Sequence, residues 1–273
     1  MKRKKRKRQR YLAVLVKKAI LLIIFLSFGM GVYFAVKGVE TESIYGDDNI
    51  NVEKINSKKE GESEIEKIKR GVQTNNLPVI LQNPELPSGC ESTAAVMLLN
   101  AYGFAADKEE FASALPWCEL ESHNGRLYAC HPDREFVGSP YSTGYGVFSG
   151  AVAETMQSFI DKRGGNALVK NVSGSSEQTV LEYINQGTPV CVWVTMDLRE
   201  IQYKNGWYIK EGDVYTDEYF QWPGGEHCVL LTGYGSNKVI VHDPLLGKAE
   251  YDRDLFFERY REMGSQAVII EEE

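Results

Sequence analysis

Metal-ligating residues are scarce in this chain of 273 residues, which holds four histidines, five cysteines and no Cys-x-x-Cys pair. Without that unit the common zinc-knuckle and zinc-ribbon arrangements are excluded. Aspartate and glutamate are absent before Glu40, so the N-terminal stretch cannot balance its own charge. Proline, tryptophan and phenylalanine are absent from Lys37 to Asn76, where Glu, Lys, Asn, Ser and Gly dominate. Such a segment buries too little apolar surface for a core and reads as a polar stalk, with room for a short helix around Glu60 to Arg70. No internal repeat occurs, which argues against a solenoid.

What is there begins with an address. Residues 2–10 carry eight Lys or Arg, Lys17 and Lys18 follow, and Ala19 to Val36 is then free of charge. Eighteen such residues, if helical, just span the hydrocarbon core of a bilayer, with Tyr33 at its interface. The basic flank directs the N-terminus to the cytoplasm. A cleaved signal peptide would have a shorter apolar region and an A-x-A-like site, which Phe34-Ala35-Val36-Lys37-Gly38 lacks. The expected organisation is a basic cytoplasmic tail at 1–18, a transmembrane anchor at 19–36, the stalk at 37–76 and an extracytoplasmic domain at 77–273. The ten basic residues up to Val36 leave 21 basic against 38 acidic residues beyond it, a net of −17. That anionic surface argues against nucleic acid as a partner, and a basic run abutting an apolar span is a topology signal rather than a polyanion site.

Two segments carry chemistry. In Leu86-Pro87-Ser88-Gly89-Cys90-Glu91 the Ser88 and Glu91 spacing is that of a capping box, and it predicts a helix over 88–102 with Cys90 in its first turn. Unpaired amides and the positive dipole end favour a thiolate there, although a cysteine also fits such a place as a small buried residue. Further on, Gly225 to Pro244 holds two β-branched runs around Gly235-Ser236-Asn237, the pattern of an antiparallel hairpin. With the turn centred on Ser236, paired residues have numbers summing to about 472, which sets His227 and Asp243 within two residues of register on one face. A carboxylate facing an imidazole fixes its tautomer, as in a nucleophile, base and orienter triad. The same residues also fit a surface histidine and a turn aspartate before Pro244. Strand alternation points Cys228 away from the face of His227.

Together these segments resemble the papain-like cysteine peptidases, and more closely the bacteriocin-leader-processing group, family thirty-nine of the cysteine peptidases, with its free-standing relatives. The resemblance rests on a Gln ahead of Leu-Pro-x-Gly-Cys-Glu, a His opening a strand that runs to Gly-Tyr, and a strand closing in Asp-Pro. Phe136-Val137-Gly138-Ser139-Pro140 also resembles the Phe-x-Gly-x-Pro segment of the free-standing forms. It implies Cys90 as nucleophile, His227 as base, Asp243 as orienter and Gln82 as an oxyanion donor, with a peptide or protein substrate and no cofactor. Here the cysteine sits in Gly-Cys-Glu, whereas the transporter-linked leader peptidases have Asp-Cys-Gly. Acyl or amide transfer at cell-wall peptides uses the same triad, and a non-catalytic surface binding module could keep the fold.

The remaining periodicities predict helices over Asp107 to Leu115, Ser149 to Arg163, Ser176 to Gln186 and Leu255 to Glu262. Strands are expected over Ala167 to Val172, Pro189 to Thr195, Lys248 to Tyr251 and Ala267 to Ile270. Helices first and an antiparallel sheet afterwards is an α+β arrangement, matching the papain-like layout of a nucleophile helix packed on a sheet. Pro116 to Tyr145 fits no period and reads as a binding loop or flap. Its Cys118, His123, Cys130 and His131 lack zinc spacing, and a Cys118–Cys130 disulfide is the better expectation for an extracytoplasmic loop.

Overall fold

The computed structural model describes Val72–Gln73, Leu77 and Val79 to Glu272. The expected tail and anchor, and all of the expected stalk but Val72–Gln73, lie outside the described residues. Among the described residues no helix is long and apolar enough to cross a membrane.

The chain opens with β1 (Val72–Gln73), α1 (Cys90–Ala101) and α2 (Lys108–Ala114), then four short strands, β2 (Trp117–Cys118), β3 (Glu121–His123), β4 (Arg126–Ala129) and β5 (Phe136–Val137). Next come α3 (Ser149–Lys162), β6 (Leu168–Asn171), α4 (Glu177–Asn185) and β7 (Val190–Thr195). Four more strands follow, β8 (Gln202–Tyr203), β9 (Trp207–Glu211), β10 (Val214–Phe220) and β11 (Pro223–Gly224). The chain closes with β12 (Glu226–Tyr234), β13 (Lys238–Asp243), β14 (Gly247–Asp252), α5 (Arg253–Glu262) and β15 (Ala267–Glu271). Caps explain several boundaries: Asp107 accepts the amides of Glu109 and Glu110, Ser176 that of Thr179 and Asp252 that of Leu255.

The main sheet runs β14-β13-β12-β7-β15-β6, with β1 also paired to β12, and its pairings are antiparallel. It is covered on both faces, which is why β7 and β12 are buried at every position and are apolar in succession over Val190–Val194 and Cys228–Leu231. Cys191, Trp193, Cys228, Leu230, Val268 and Ile270 pack with α1 and α3. Val192, Val194, Val229, Leu231, Val241 and Ile269 pack with Val180 and Ile184 of α4 and Phe256, Phe257 and Tyr260 of α5. The β12–β13 pairs Leu230↔His242 and Leu231↔Val241 have the expected register, with a bulge before Gly233↔Ile240.

Two sequence expectations are corrected. The sheet begins inside the segment read as stalk, because Val72 and Gln73 pair with Tyr234 and Gly233. The expected flap at 116–145 contains four short strands: β3 and β4 join β9 and β10 in a second sheet, and β2 pairs β5. The disulfide Cys118–Cys130 ties this region together. His123 stacks on Tyr215 with ring centroids 3.9 Å apart, so the four residues considered for zinc serve other contacts.

Candidate active site

Several chain-distant segments meet at one cleft of about 250 Å³, lined among others by Gln82, Ser88, Cys90, Tyr145, Trp222, Glu226 and His227. That volume holds a residue or two of a chain rather than a drug-sized ligand or cofactor. Cys90 is the first residue of α1 and 7% exposed. The expected capping box does not form. The N-cap is Gly89, without a side-chain cap, and both would-be capping residues are engaged elsewhere. Ser88 Oγ accepts the Gly144 amide at 3.1 Å, and Glu91 Oε1 accepts the Val147 amide at 2.8 Å. A loop from the middle of the chain has thereby taken the place of local capping.

His227 is the second residue of β12 and Asp243 the last of β13. Their side chains meet with Nε2 2.9 Å from Oδ1, both groups being buried. Asp243 is fully satisfied: Oδ1 also accepts the amides of Leu245 (2.7 Å) and Leu246 (3.3 Å), and Oδ2 accepts the Tyr251 hydroxyl (2.8 Å). Burial opposes its ionisation, but the hydrogen bond and charge of His227, with the Leu245 amide and Tyr251, outweigh it and hold the carboxyl below its usual range. An ionised Asp243 makes Nε2 the protonated ring nitrogen and leaves Nδ1 to take a proton.

Gln82 is buried, and its backbone amide bonds the Pro244 carbonyl at 2.8 Å, tying its loop to the end of the hairpin. Its Nε2 donates to the carbonyls of Leu86 (3.1 Å) and Pro87 (3.0 Å), while Oε1 has no partner. Flipping the amide would set an oxygen against two carbonyl oxygens, so this orientation is the favourable one. Both amide hydrogens are therefore committed in this state.

Two acids unassigned by the sequence stand beside the thiol. Glu91, expected as a cap, accepts the Cys90 S–H on Oε2 at 3.3 Å and is fully buried. Glu226, next to His227, is 8% exposed, with Oε1 unpartnered. Burial, then the charges of Glu91 and Glu226, push Cys90 well above the ordinary thiol range, against a lowering contribution from the Cys228 amide. The helix-terminus expectation of an easily formed thiolate is thus opposed, first by burial of the sulfur and then by the acids beside it. Neither acid carried a signal in its local spacing other than the capping-box pattern, which pointed elsewhere. Cys228 is fully buried against the α1 side of the sheet.

Cys90, Glu91 and Glu226 have donor atoms within 4.8 Å of one another, as do Cys118, Cys130 and Glu135. The second group's sulfurs are bonded to each other, and in the first the Cys90 S–H is given to Glu91, so neither is assigned a metal.

The sequence profile of the Peptidase_C39 like family matches residues 65–268. The chain belongs to that family. It is 28% identical over 201 residues to the uncharacterised protein YvpB of Bacillus subtilis strain 168, covering 71% of this chain and 75% of that protein. The crystal structure of a candidate C39-like peptidase from Bacillus anthracis superposes with a TM-score of 0.64 at 26% identity, over 74% of this chain and 98% of that one. The peptidase domain of Streptococcus ComA, a bi-functional ABC transporter of a quorum-sensing pathway, gives 0.41 at 12% identity over 72% and 100%. Within this C39-like fold, the start of helix α1 and the β12–β13 hairpin are elements that converge on the cleft.

Proposed function

We propose that this C39-like chain is a membrane-anchored, extracytoplasmic cysteine peptidase that hydrolyses peptide bonds through Cys90, His227 and Asp243. The observation that carries this reading is a thiol and an imidazole lining one cleft, with a buried aspartate bonded to Nε2 of the imidazole. In the proposed reaction, Nδ1 of His227 takes the thiol proton of Cys90 as the sulfur attacks the substrate carbonyl. The Cys90 amide and Gln82 hold the oxyanion, and Gln82 gives up one of its two carbonyl bonds to do so. The imidazolium then protonates the leaving amine, and water releases the acyl group. No cofactor enters. The substrate is a peptide or protein, and the membrane contact is Ala19 to Val36, whose basic flank supports an N-terminus in the cytoplasm.

Cys90→Ala is expected to abolish both hydrolysis and labelling by a thiol-directed electrophile. Labelling that persists at another cysteine, with turnover intact, overturns the assignment. A phosphatase reporter fused after Glu273 is expected to be active in cells, and an inactive one rejects the topology.

A further inference from the structure

The cleft holds two carboxyl groups that the triad does not use. A Cβ added at Gly146 would stand 2.5 Å from Glu91 Oε1 and 2.9 Å from Glu226 Oε2, so the two acids converge on one glycine. Cys90 Sγ is their third neighbour, within 4.8 Å. Their donor supply is unequal. Glu91 receives the Val147 amide and the Cys90 S–H, whereas Oε1 of buried Glu226 receives nothing. Two buried carboxylates this close cannot both be charged without a compensating cation, so one must keep a proton.

We propose that Glu91 and Glu226 form a one-proton pair in which Glu91 carries the charge and Glu226 the proton, and that this pair holds Cys90 as a thiol hydrogen bonded to Glu91. The inference rests on the reading of Cys90 as nucleophile, but its mechanism is separate: these are positioning residues that set the protonation state of the sulfur. The groups around the pair agree. On α1 its neighbour is Cys90; on β12 they are His227 and the Cys228 amide; Tyr145 and Lys204 stand at the cleft wall. Burial and then Glu91 raise Glu226 well above the carboxylate range. Burial lifts Glu91 to about 7 against its bonds to backbone amides and Cys90 and the charge of His227. The pair therefore gains its single negative charge as pH rises through neutrality, when an ordinary thiol would begin to ionise. Proton removal from Cys90 then has to compete with the S–H···Glu91 bond, and His227 must break that bond to act.

The test needs no substrate, so it stands apart from peptidase activity. Thiolate absorbance of the wild type minus that of Cys90→Ala reports ionisation of Cys90 alone. Its midpoint is expected above the free-thiol value of about 8.5. In Glu91→Gln the midpoint should fall by one pH unit or more, a tenfold gain in thiolate at a fixed pH below it. Glu226→Gln replaces a neutral acid by a neutral amide and should leave the midpoint nearly in place. Difference infrared spectra at mildly alkaline pH should show a protonated carboxyl C=O band in the wild type that disappears in Glu226→Gln. A wild-type Cys90 already ionised at neutral pH overturns the proposal, as does a carboxyl band that survives Glu226→Gln or a midpoint unmoved by Glu91→Gln. Should Glu91→Gln fail to fold, the wild-type titration and the Glu226→Gln spectrum decide. If no peptide is cleaved but these spectra hold, the peptidase reading fails and the acid pair stands.

Discussion

Asp243 and the Glu91–Glu226 pair lie within one site and are similarly buried, yet their pKa values are driven in opposite directions. Asp243 collects a ring nitrogen, two amides and a hydroxyl, and stays ionised. Glu91 and Glu226 have fewer donors and each other's charge, and are pushed toward the acid form. Burial alone does not set the charge of a carboxyl group. The number of donors aimed at it does, together with the sign of its nearest neighbour. The site thus sets an acid with a lowered pKa against His227 and a proton-sharing pair against Cys90.

The largest break in this contrast is expected from Asp243→Asn. Removing the anion that fixes the His227 tautomer should lower kcat by about 10³- to 10⁴-fold, as loss of an orienting aspartate does elsewhere, with little change in KM. An unchanged kcat would make Asp243 merely a turn residue before Pro244.

Gly146→Ala attacks the other corner. Its Cβ would press on both glutamates and on Trp222, 3.2 Å away, so a loss of about 1–3 kcal/mol of stability is expected from overpacking, read as a lower melting temperature. A variant as stable as the wild type would show that the two carboxyls are free to separate.

The two corners should also give opposite pH dependence of stability. Asp243 has its folded value depressed, so its contribution is present above its unfolded value and is lost as pH falls through the depressed one. Glu91 is raised from its ordinary 4.5 to about 7, so its contribution is present in acid and lost as pH rises through that interval. Melting of Glu91→Gln compared with wild type between these values should show the variant gaining relative stability as pH rises. Parallel melting curves across the interval would mean Glu91 is not the group that titrates there. The smallest effect belongs to Tyr251→Phe, which removes one of four donors to Asp243. A loss of about 1 kcal/mol and a few-fold drop in kcat are expected, and a larger drop would give Tyr251 a place in the chemistry.

The parts of the site legible in the sequence are those that regular structure places. A hairpin has a fixed period and a register set by its turn, so the proximity of His227 and Asp243 could be computed from their numbers. Cys90 at a helix start was legible for a similar reason. Ser88 and Glu91 misled because their local pattern was complete, while the partners that claimed them, Gly144 and Val147, lie over fifty residues away. The second sheet was invisible for the same cause. Its strands β3 and β4 have three and four residues with charged side chains, and β4 pairs in parallel with β9 some eighty residues later. No local period announces such a pairing. An aromatic cluster at the cleft was equally hidden: Trp222 stacks on Phe148 with centroids 5.6 Å apart and meets Tyr145 edge-on at 5.4 Å.

The Gln82 amide bonded to the Pro244 carbonyl joins an early part of the domain to a late one, and this has a consequence for the order of folding. Closing so long a loop carries an entropic cost that local helix formation does not, so it belongs to the late stages of assembly. A chain emerging during synthesis holds Cys90 long before it holds His227 or Asp243. The thiol therefore has no base, and its helix no finished cleft, until the last hairpin docks. Under the proposed function, reactivity would come only with the finished cleft.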